Sequence, residues 1–565
     1  MIRTRRALMR AAAALAGLAL LAGCATIPRS GGVQGGTEIH ADDNGFDTFD
    51  YIPSGPVDGM TKEQILRGFV RAALSPQDRY QTARSFLTPD FADQWKPEVS
   101  VTVDSGTGRL YHEVDDSTWQ LSVYPDAFVD KDGDYREADS DSPIAQPYKF
   151  QKIGGQWRIS NAPDGTIIDA TSFGNVFSAH TLYFFDPSGD YLVPDQRWFP
   201  SGASTPTRVV KALLAGPSAW LKGAVTTAFP QGTDLGFDSV RVSGGTAQVA
   251  LGSAANGADA GQLQRMKVQL QRSLADTASG LSVSISIDGV EKTIGSPQSP
   301  PIQDPKIDSR PLVLKGGAFG FLSGTSIVPL PALSGAVAAL AGSAAVVSAD
   351  HSAAAVLAGG RVHSVRGGGS AVVDDRPGLI APSLDPSGFV WSVSATETGT
   401  VRATGSDGVA HAVATQWPDA TAIRAFSVSR DGTRVAALLE SGDKLRLVVA
   451  AVLRDDGVPE RLGEPLELGS LGGARPASLA WVDELTVAVL TASADGETTI
   501  RSQVVGGQAH SLAGPGGGRT IVGGGGIPPY WVLTADGSLQ AARGTGWQER
   551  AAEVSLVAGQ LGTPR

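Results

Sequence analysis

The chain has 565 residues, of which 42% are apolar and 18% are charged, so it is long enough for about three globular domains and is not a disordered polypeptide. The formal net charge is −11 at pH 7, and no run of basic residues follows Arg10. Both facts argue against nucleic-acid binding, because neutralising phosphates requires clustered Lys and Arg. The single cysteine excludes an intramolecular disulfide and a cysteine-based metal site.

The first 23 residues have the pattern of a bacterial lipoprotein signal peptide. Four arginines precede an apolar run at 11–22, which is shorter than the roughly 20 residues that span a bilayer. The run ends in Leu-Ala-Gly23-Cys24, where the cysteine thiolate is the nucleophile that can accept a diacylglycerol. We therefore predict cleavage between Gly23 and Cys24, acylation of the Cys24 sulfur and α-amine, and anchoring at the extracytoplasmic face of the cell membrane. An ordinary secretion signal with an incidental cysteine is the alternative.

The next part of the chain predicts a domain of helices followed by a sheet. Thr61 and Gln64 form a capping-box pattern before an amphipathic helix, and a shorter helix is expected at 77–86. Around Trp119 the apolar period changes to two, which predicts a curved antiparallel sheet. This order resembles the NTF2-like fold, whose cone can enclose an apolar ligand. A core filled by the domain's own side chains is the alternative.

Residues 130–134 (Asp-Lys-Asp-Gly-Asp) are the best candidate for a cation site. Their oxygen ligands alternate as in a calcium loop, but Tyr135 stands where an EF-hand has glycine and Asp141 where it has glutamate. The seven histidines are not at metal-ligand spacing. We therefore expect a hairpin turn on an acidic surface, and no metal or cofactor.

A second α+β domain is predicted farther along the chain. Aromatic strand 182–185 and returning strand 191–194 flank a turn, helices are expected at 206–215 and around Met266, and residues 281–287 alternate as a strand. The domain resembles the GerMN domain, a module of spore and envelope proteins with no settled catalytic residues. The segments that carry this resemblance are Leu213–Ser218, Phe229–Thr233 and Ile287–Gly289.

The C-terminal part predicts an all-β propeller of about five or six blades. Five turns containing aspartate recur at intervals of 35, 46, 52 and 53 residues, close to the roughly 40–50 residues of a four-stranded blade. The turns contain Asp350, Asp385, Asp431, Asp483 and Asp536. A two-sheet sandwich is the alternative. The uncharged stretch 316–349 is broken by prolines, so we expect buried strands there and not a membrane span.

Taken in order, a lipobox, an NTF2-like segment, a GerMN domain and a propeller resemble the actinobacterial LpqB lipoproteins. Cys24–Pro28 and Leu213–Ser218 are the sharpest local matches. The predicted architecture is multidomain: an α+β NTF2-like domain, an α+β GerMN domain and an all-β propeller. Its segments are 1–23 (signal peptide), 24–55 (tether), 56–170 (NTF2-like domain), 171–295 (GerMN domain), 296–312 (Pro-rich linker) and 313–565 (propeller).

The resemblance implies a non-enzymatic accessory role. Members of the family are described as binding the extracellular part of the MtrB sensor kinase and modulating MtrA-controlled wall and division genes. The expected partners are therefore the MtrB extracellular domain, membrane lipid through the acyl chains on Cys24, and cell-wall polymer. Two alternatives belong to other function classes: an envelope hydrolase whose paired carboxylates converge in the propeller funnel, and a lipid carrier that uses the NTF2-like cone.

Overall fold

The computed structural model describes residues 53–138, 142–278, 280–472 and 474–562. The predicted signal peptide, the lipidation and cleavage site at Gly23 and Cys24, and the tether up to residue 52 lie outside the described residues. The α-helices are α1 (Lys62–Ala72), α2 (Gln81–Arg84), α3 (Pro89–Ala92), α4 (Ala170–Val176), α5 (Thr205–Ala215), α6 (Ala260–Ser273) and α7 (Ser334–Leu340). Short 3₁₀ helices lie at Gln77–Tyr80, Ala219–Leu221 and Ser253–Gly257.

The first domain packs α1 to α3 against strands in two sheets. Thr61 and Gln64 form the predicted capping box, with Thr61 N donating to Gln64 Oε1 at 2.9 Å and Gln64 N donating to Thr61 Oγ1 at 3.2 Å. The strands are β1 (Ser100–Asp104), β2 (Leu110–Glu113), β3 (Thr118–Val123), β4 (Pro125–Asp130), β5 (Tyr135–Glu137), β6 (Ile144–Ile153), β7 (Gln156–Asn161) and β8 (Thr166–Asp169). Their orders are β5-β4-β1-β8 and β2-β3-β6-β7, and β1 pairs with β8 in parallel. The domain therefore has two sheets, whereas the sequence pattern predicts one curved sheet.

The second domain contains the predicted aromatic hairpin and a four-stranded sheet. Strands β9 (Phe177–Phe185) and β10 (Leu192–Pro200) pair along their full length. The sheet has the order β11-β12-β13-β14, with β12 and β13 parallel. Its strands are β11 (Arg241–Ser243), β12 (Thr246–Leu251), β13 (Ser282–Ile287) and β14 (Val290–Glu291). Helices α5 and α6 contribute Leu213 and Met266 to a core that also contains Phe184.

The C-terminal domain is a propeller, as predicted, and its described residues form six blades. Counted from the axis outward, the blades are β39-β15-β16-β17, β18 to β21, β22 to β25, β26-β27-β28-β30, β31 to β34 and β35 to β38. The last strand of the chain therefore completes the first blade. Strand β29 pairs with the end of β28 and with β25 of the third blade. The strands are β15 (Leu312–Lys315), β16 (Ala318–Ser323), β17 (Ser326–Val328), β18 (Ala344–Val347), β19 (Ala353–Ala358), β20 (Arg361–Arg366), β21 (Gly369–Asp374), β22 (Ser383–Leu384), β23 (Val390–Ser392), β24 (Thr400–Thr404), β25 (Ala410–Ala414), β26 (Ala422–Val428), β27 (Arg434–Ser441), β28 (Lys444–Asp455), β29 (Val458–Leu462), β30 (Leu466–Ser470), β31 (Arg475–Trp481), β32 (Thr486–Ala492), β33 (Thr498–Val504), β34 (Ala509–Ala513), β35 (Gly518–Gly523), β36 (Tyr530–Thr534), β37 (Leu539–Arg543), β38 (Gly546–Ala551) and β39 (Val554–Gln560).

Four of the five predicted aspartate turns occupy equivalent positions, directly after the inner strand of a blade. The fifth, at Asp536, does not: it joins the second and third strands of the sixth blade, whose equivalent loop is 524–529. Asp536 accepts a hydrogen bond from Ser538 N at 3.2 Å, just as Asp350 accepts one from Ser352 N at 3.0 Å. An aspartate side chain that accepts a backbone hydrogen bond can close a turn at either end of a blade. The regular spacing of aspartates in the sequence therefore does not distinguish these two kinds of turn.

The apolar stretch before β18 differs in part from the prediction. Residues 344–347 form the expected buried strand, but Ser334–Leu340 form helix α7, whose Val337 lies in the core of the first blade. Alanine is a good helix former, and its abundance here outweighs the strand-sized apolar pattern. Within the described ranges, no helix is both long and apolar enough to cross a membrane.

Candidate functional site: the junction of the three domains

The acidic loop 130–134 forms the hairpin between β4 and β5, as predicted, and it docks on the second domain. Asp130 Oδ1 accepts hydrogen bonds from the backbone N of Asp132 at 2.9 Å and of Asp134 at 3.0 Å. Gly133 has φ +86°, and a Cβ there would lie 2.9 Å from Trp198 O. Trp198 N, on β10, donates to Gly133 O at 2.8 Å. Glycine is required at this position because the backbones of the two domains meet.

The cationic group that contacts this loop is the guanidinium of Arg197. Arg197, which is 3% exposed, donates from Nη2 to Asp195 Oδ2 at 2.9 Å and from Nη1 to Asp132 O at 2.7 Å. Its Nε lies 3.2 Å from Asp134 Oδ1. Burial lowers the pKa of Arg197, but the charge and hydrogen bonds of Asp195 outweigh that effect and raise it. Among the residues that the structure describes, no group of three or more His, Cys, Asp or Glu is arranged to hold a metal ion.

Ser218 joins the two carboxylates of this cluster. Its Oγ lies 2.5 Å from Asp195 Oδ1 and 2.7 Å from Asp134 Oδ1, and its backbone N donates to Asp195 Oδ2 at 2.8 Å. Burial raises the pKa of Asp134 to about 6, although the charge of Arg197 opposes this shift. The cluster is thus a satisfied polar core between the first and second domains, and the proton occupancy of Asp134 changes near pH 6.

The propeller reaches the same junction through its fifth blade. Gly506 O accepts hydrogen bonds from Trp198 Nε1 at 2.9 Å and from Gln196 Nε2 at 3.3 Å, both from β10. Glu137, at the end of β5, forms an ion pair with Arg501 and accepts a hydrogen bond from Ala509 N at 3.2 Å. All three domains therefore meet around the β4–β5 hairpin and strand β10.

A second contact joins the aromatic hairpin to the propeller. Tyr183 Oη donates to Glu484 Oε1 at 2.7 Å and accepts a hydrogen bond from Gln303 Nε2 at 2.7 Å. Burial raises the pKa of Glu484 to about 6. The contact links the second domain, the Pro-rich segment and a loop that follows an inner strand.

The Pro-rich segment is held against both of its neighbours. Ile302 N donates to Asp190 O and Leu192 N donates to Ile302 O, each at 2.8 Å, so the segment pairs with the edge of the aromatic hairpin. Arg430, which is 6% exposed, donates from Nη1 to Pro305 O at 3.1 Å and from Nη2 to Val482 O at 2.7 Å. Arg430 therefore ties this segment to the end of the propeller channel.

The channel is narrow, with a volume of ≈ 110 Å³, and it is lined by residues from all six inner strands. Most of the lining side chains are small or apolar, such as Val346, Ser383, Ala480 and Val557. Within the described lining, Arg430 is the one charged side chain. The described lining of the channel itself contains no carboxylate, whereas Asp304, Asp483 and Glu484 line a separate pocket of ≈ 520 Å³ at the Arg430 end.

The interior of the first domain is filled by aromatic side chains. The ring of Phe69 lies 4.9 Å from that of Trp95 and 6.2 Å from that of Tyr148, measured between centroids. All three side chains are at least 95% buried. The arrangement favours a filled core over a ligand cone, and it gives the lipid-carrier hypothesis no support.

None of Asp195, Arg197 and Ser218 was predicted as a site residue from the sequence. A signal was present: two opposite charges stand two residues apart just after the predicted returning strand 191–194, and in an extended chain that spacing places both on one face. That pattern indicates a buried ion pair, but it cannot show that the partner hairpin comes from another domain.

Comparison with known families assigns nearly the whole described chain. "Lipoprotein LpqB, N-terminal domain" matches residues 55–174, "Sporulation and spore germination" matches 181–293, and "Lipoprotein LpqB beta-propeller domain" matches 317–556. Lipoprotein LpqB of Cutibacterium acnes is 26% identical over 92% of this chain and 90% of its own length. The corresponding protein of Rhodococcus opacus is 27% identical over 86% and 85%, and that of Thermobifida fusca is 30% identical over 48% and 45%.

Proposed function

Because the chain belongs to the LpqB lipoprotein family, we propose that it is a lipid-anchored, non-enzymatic accessory protein on the outer face of the cell membrane. It binds the extracellular region of the MtrB sensor kinase and modulates signalling through the MtrAB two-component system. The observation that supports a binding role most directly is the three-domain junction, in which buried polar contacts hold the domains as one compact unit. Such a unit presents a composite surface in a fixed arrangement.

The anchor determines where this surface acts. One acyl chain gives marginal membrane binding, whereas two or more hold a protein firmly. Acylation of Cys24 at both its sulfur and its α-amine meets that condition. The polar segment after Cys24 links the unit to the membrane, which raises its effective concentration near a membrane-embedded kinase.

Kinase activity in proteoliposomes tests this proposal. The sensor is reconstituted alone, with the lipidated protein, or with the unlipidated Cys24→Ala protein at the same total concentration. We expect the lipidated protein to change the rate of autophosphorylation at a concentration at least tenfold lower than the unlipidated protein requires, because anchoring confines it to the membrane surface. An unchanged rate at every concentration of both proteins would contradict the accessory role.

A second candidate function, binding of a wall saccharide, is favoured by one surface of the second domain. The outer face of the sheet β11 to β14 forms a groove of ≈ 580 Å³ with Gln248, Ser284 and Ser286 on its floor. Phe237 stands at its border and is 69% exposed. Hydroxyl and amide groups beside an exposed ring suit a sugar, which offers hydroxyls and an apolar ring face.

Co-sedimentation with purified peptidoglycan and arabinogalactan tests this second function. Phe237→Ala should reduce the bound fraction by at least half, whereas Val409→Ala, at an exposed propeller position, should leave it unchanged. Equal binding by the two variants, or no sedimentation of the wild-type protein, would remove this candidate.

A further inference from the structure

The three domains enclose a cleft of ≈ 370 Å³, which we call the junction cleft. The first domain contributes Phe128 and Asp130, the second contributes Ala219 and Trp220, and the propeller contributes Glu464 and Leu466. The volume lies within the range of about 300–1,000 Å³ that is typical of ligand pockets. The cleft exists only when all three domains are docked.

The walls of the cleft combine apolar rings with exposed charge. Phe128, Trp220 and Leu466 are half-buried and supply apolar surface. Asp130 and Glu464 are exposed at the rim, and Glu464 has no hydrogen bond or ion pair with any described residue. An aromatic face and an unpaired carboxylate are the two groups that recognise an organic cation.

The charge balance of the cleft is negative. Asp195 and Asp134 share the guanidinium of Arg197 behind the wall, and Arg136 is the other cation at the cleft. The four carboxylates of the lining, those of Asp130, Asp134, Asp195 and Glu464, therefore outnumber these two guanidinium groups. A cationic group that enters the cleft gains Coulomb energy, whereas an anionic group is repelled. Because the cleft wall beside these charges is apolar, a ligand that carries an apolar group next to its cation fits the cleft best.

We propose that the junction cleft receives a segment of the sensor kinase's extracellular region in which a Lys or Arg side chain lies beside an apolar side chain. This assignment rests on the accessory function proposed above. The cationic group lies between Glu464 and the ring of Trp220, and the apolar neighbour packs against Phe128 and Leu466. Because the walls come from three domains, the segment binds only the docked arrangement.

The test measures the dissociation constant for the sensor's extracellular region, using the soluble chain 25–565 and three variants. Ala219→Arg places a guanidinium of the chain itself in the cleft, at an exposed position. Glu464→Lys reverses the unpaired charge. Glu460→Lys is the matched control, because this exposed acid lies nearby on β29 and does not line the cleft. Melting temperatures of all four proteins establish that the variants fold.

We expect Ala219→Arg to weaken binding at least tenfold and Glu464→Lys to weaken it several-fold with a smaller salt dependence, while Glu460→Lys binds as the wild type does. If both cleft variants bind as tightly as the wild type, the cleft assignment is wrong and the accessory function stands. If the wild-type protein itself does not bind, the accessory function and the cleft assignment both fail.

Discussion

At the scale of single residues, the junction depends on how Arg197 is paired. Its guanidinium is buried with Asp195 and also meets the Asp132 carbonyl and Asp134 across a domain boundary. Removing one partner of a buried pair leaves an unpaired buried charge, which costs about 3–5 kcal/mol. An exposed ion pair contributes about 0–1 kcal/mol, because water and salt screen it.

Arg197→Ala should therefore lower the free energy of unfolding by about 3–5 kcal/mol. Arg197→Lys should recover only part of that loss, since an ammonium cannot reproduce the planar, forked hydrogen bonds. Arg208→Ala is the control: it breaks an ion pair with Glu98 between the same two domains, with side chains 31% and 60% exposed, and should cost about 1 kcal/mol or less. Urea unfolding measures all three, and equal losses for Arg197→Ala and Arg208→Ala would contradict the role given to Arg197.

The raised pKa of Asp134 should make the stability of the fold depend on pH. Burial raises this pKa from 3.8 to about 6, so the folded chain holds the proton more tightly than the unfolded chain. The contribution of Asp134 to the free energy of unfolding is therefore highest below about pH 4, decreases between about pH 4 and 6, and is constant above that. Asp134→Asn removes this decrease.

Urea unfolding of the wild type and Asp134→Asn at pH 4, 5, 6 and 7 provides the check. The difference between the two free energies of unfolding should move in favour of the variant as the pH rises to 6. Asp132→Asn, at an exposed position of the same hairpin, is the control and should run parallel to the wild type. Parallel curves for Asp134→Asn would mean that its carboxyl titrates alike in the folded and unfolded chains.

At the scale of elements, local chemistry made most of the helices and strands predictable. The capping box at Thr61 and the strict alternation in β13 each depend only on residues close together in the sequence, and both elements occur where predicted. Local sequence does not determine which strands pair when they lie far apart in the chain. The parallel contact of β1 with β8 and the insertion of β39 between β15 and β18 join segments far apart in the chain. The site at Arg197 was missed for the same reason.

The closing strand β39 should be sensitive to substitution, because it joins the first and last parts of the propeller. Leu556 is 1% exposed and lies in the core of the first blade. Leu556→Ala should lower the free energy of unfolding of the propeller by about 2–5 kcal/mol through lost burial and a cavity. Ser555→Ala, its exposed neighbour, loses one hydrogen bond to Leu314 O and should cost about 1 kcal/mol. A loss for Leu556→Ala no larger than that for Ser555→Ala would contradict closure through β39.

At the scale of the whole molecule, the described residues form a compact three-domain unit whose proposed activity depends on attachment to a membrane. The family has the name of a lipoprotein, and the residues that would carry the lipid precede the described part of the chain. The proposed attachment and the proposed binding involve different residues, because the junction cleft is built entirely from residues after the predicted tether.

Cys24→Ala should therefore move the protein from the membrane fraction to the soluble fraction without changing its melting temperature. The thiol is the nucleophile for the first acyl group, and alanine offers none. Cells that express each form are labelled metabolically with palmitate and then fractionated, and the label and the protein are measured in each fraction. Retention of the variant in the membrane fraction would show that attachment does not depend on Cys24.

The most direct test of the account is a calorimetric titration of the soluble chain 25–565 with the extracellular region of the MtrB-type kinase. We expect saturable binding with a micromolar or tighter dissociation constant, and we expect the binding to weaken as salt is added, because a cationic segment enters an acidic cleft. No binding at any salt concentration would contradict the accessory function itself.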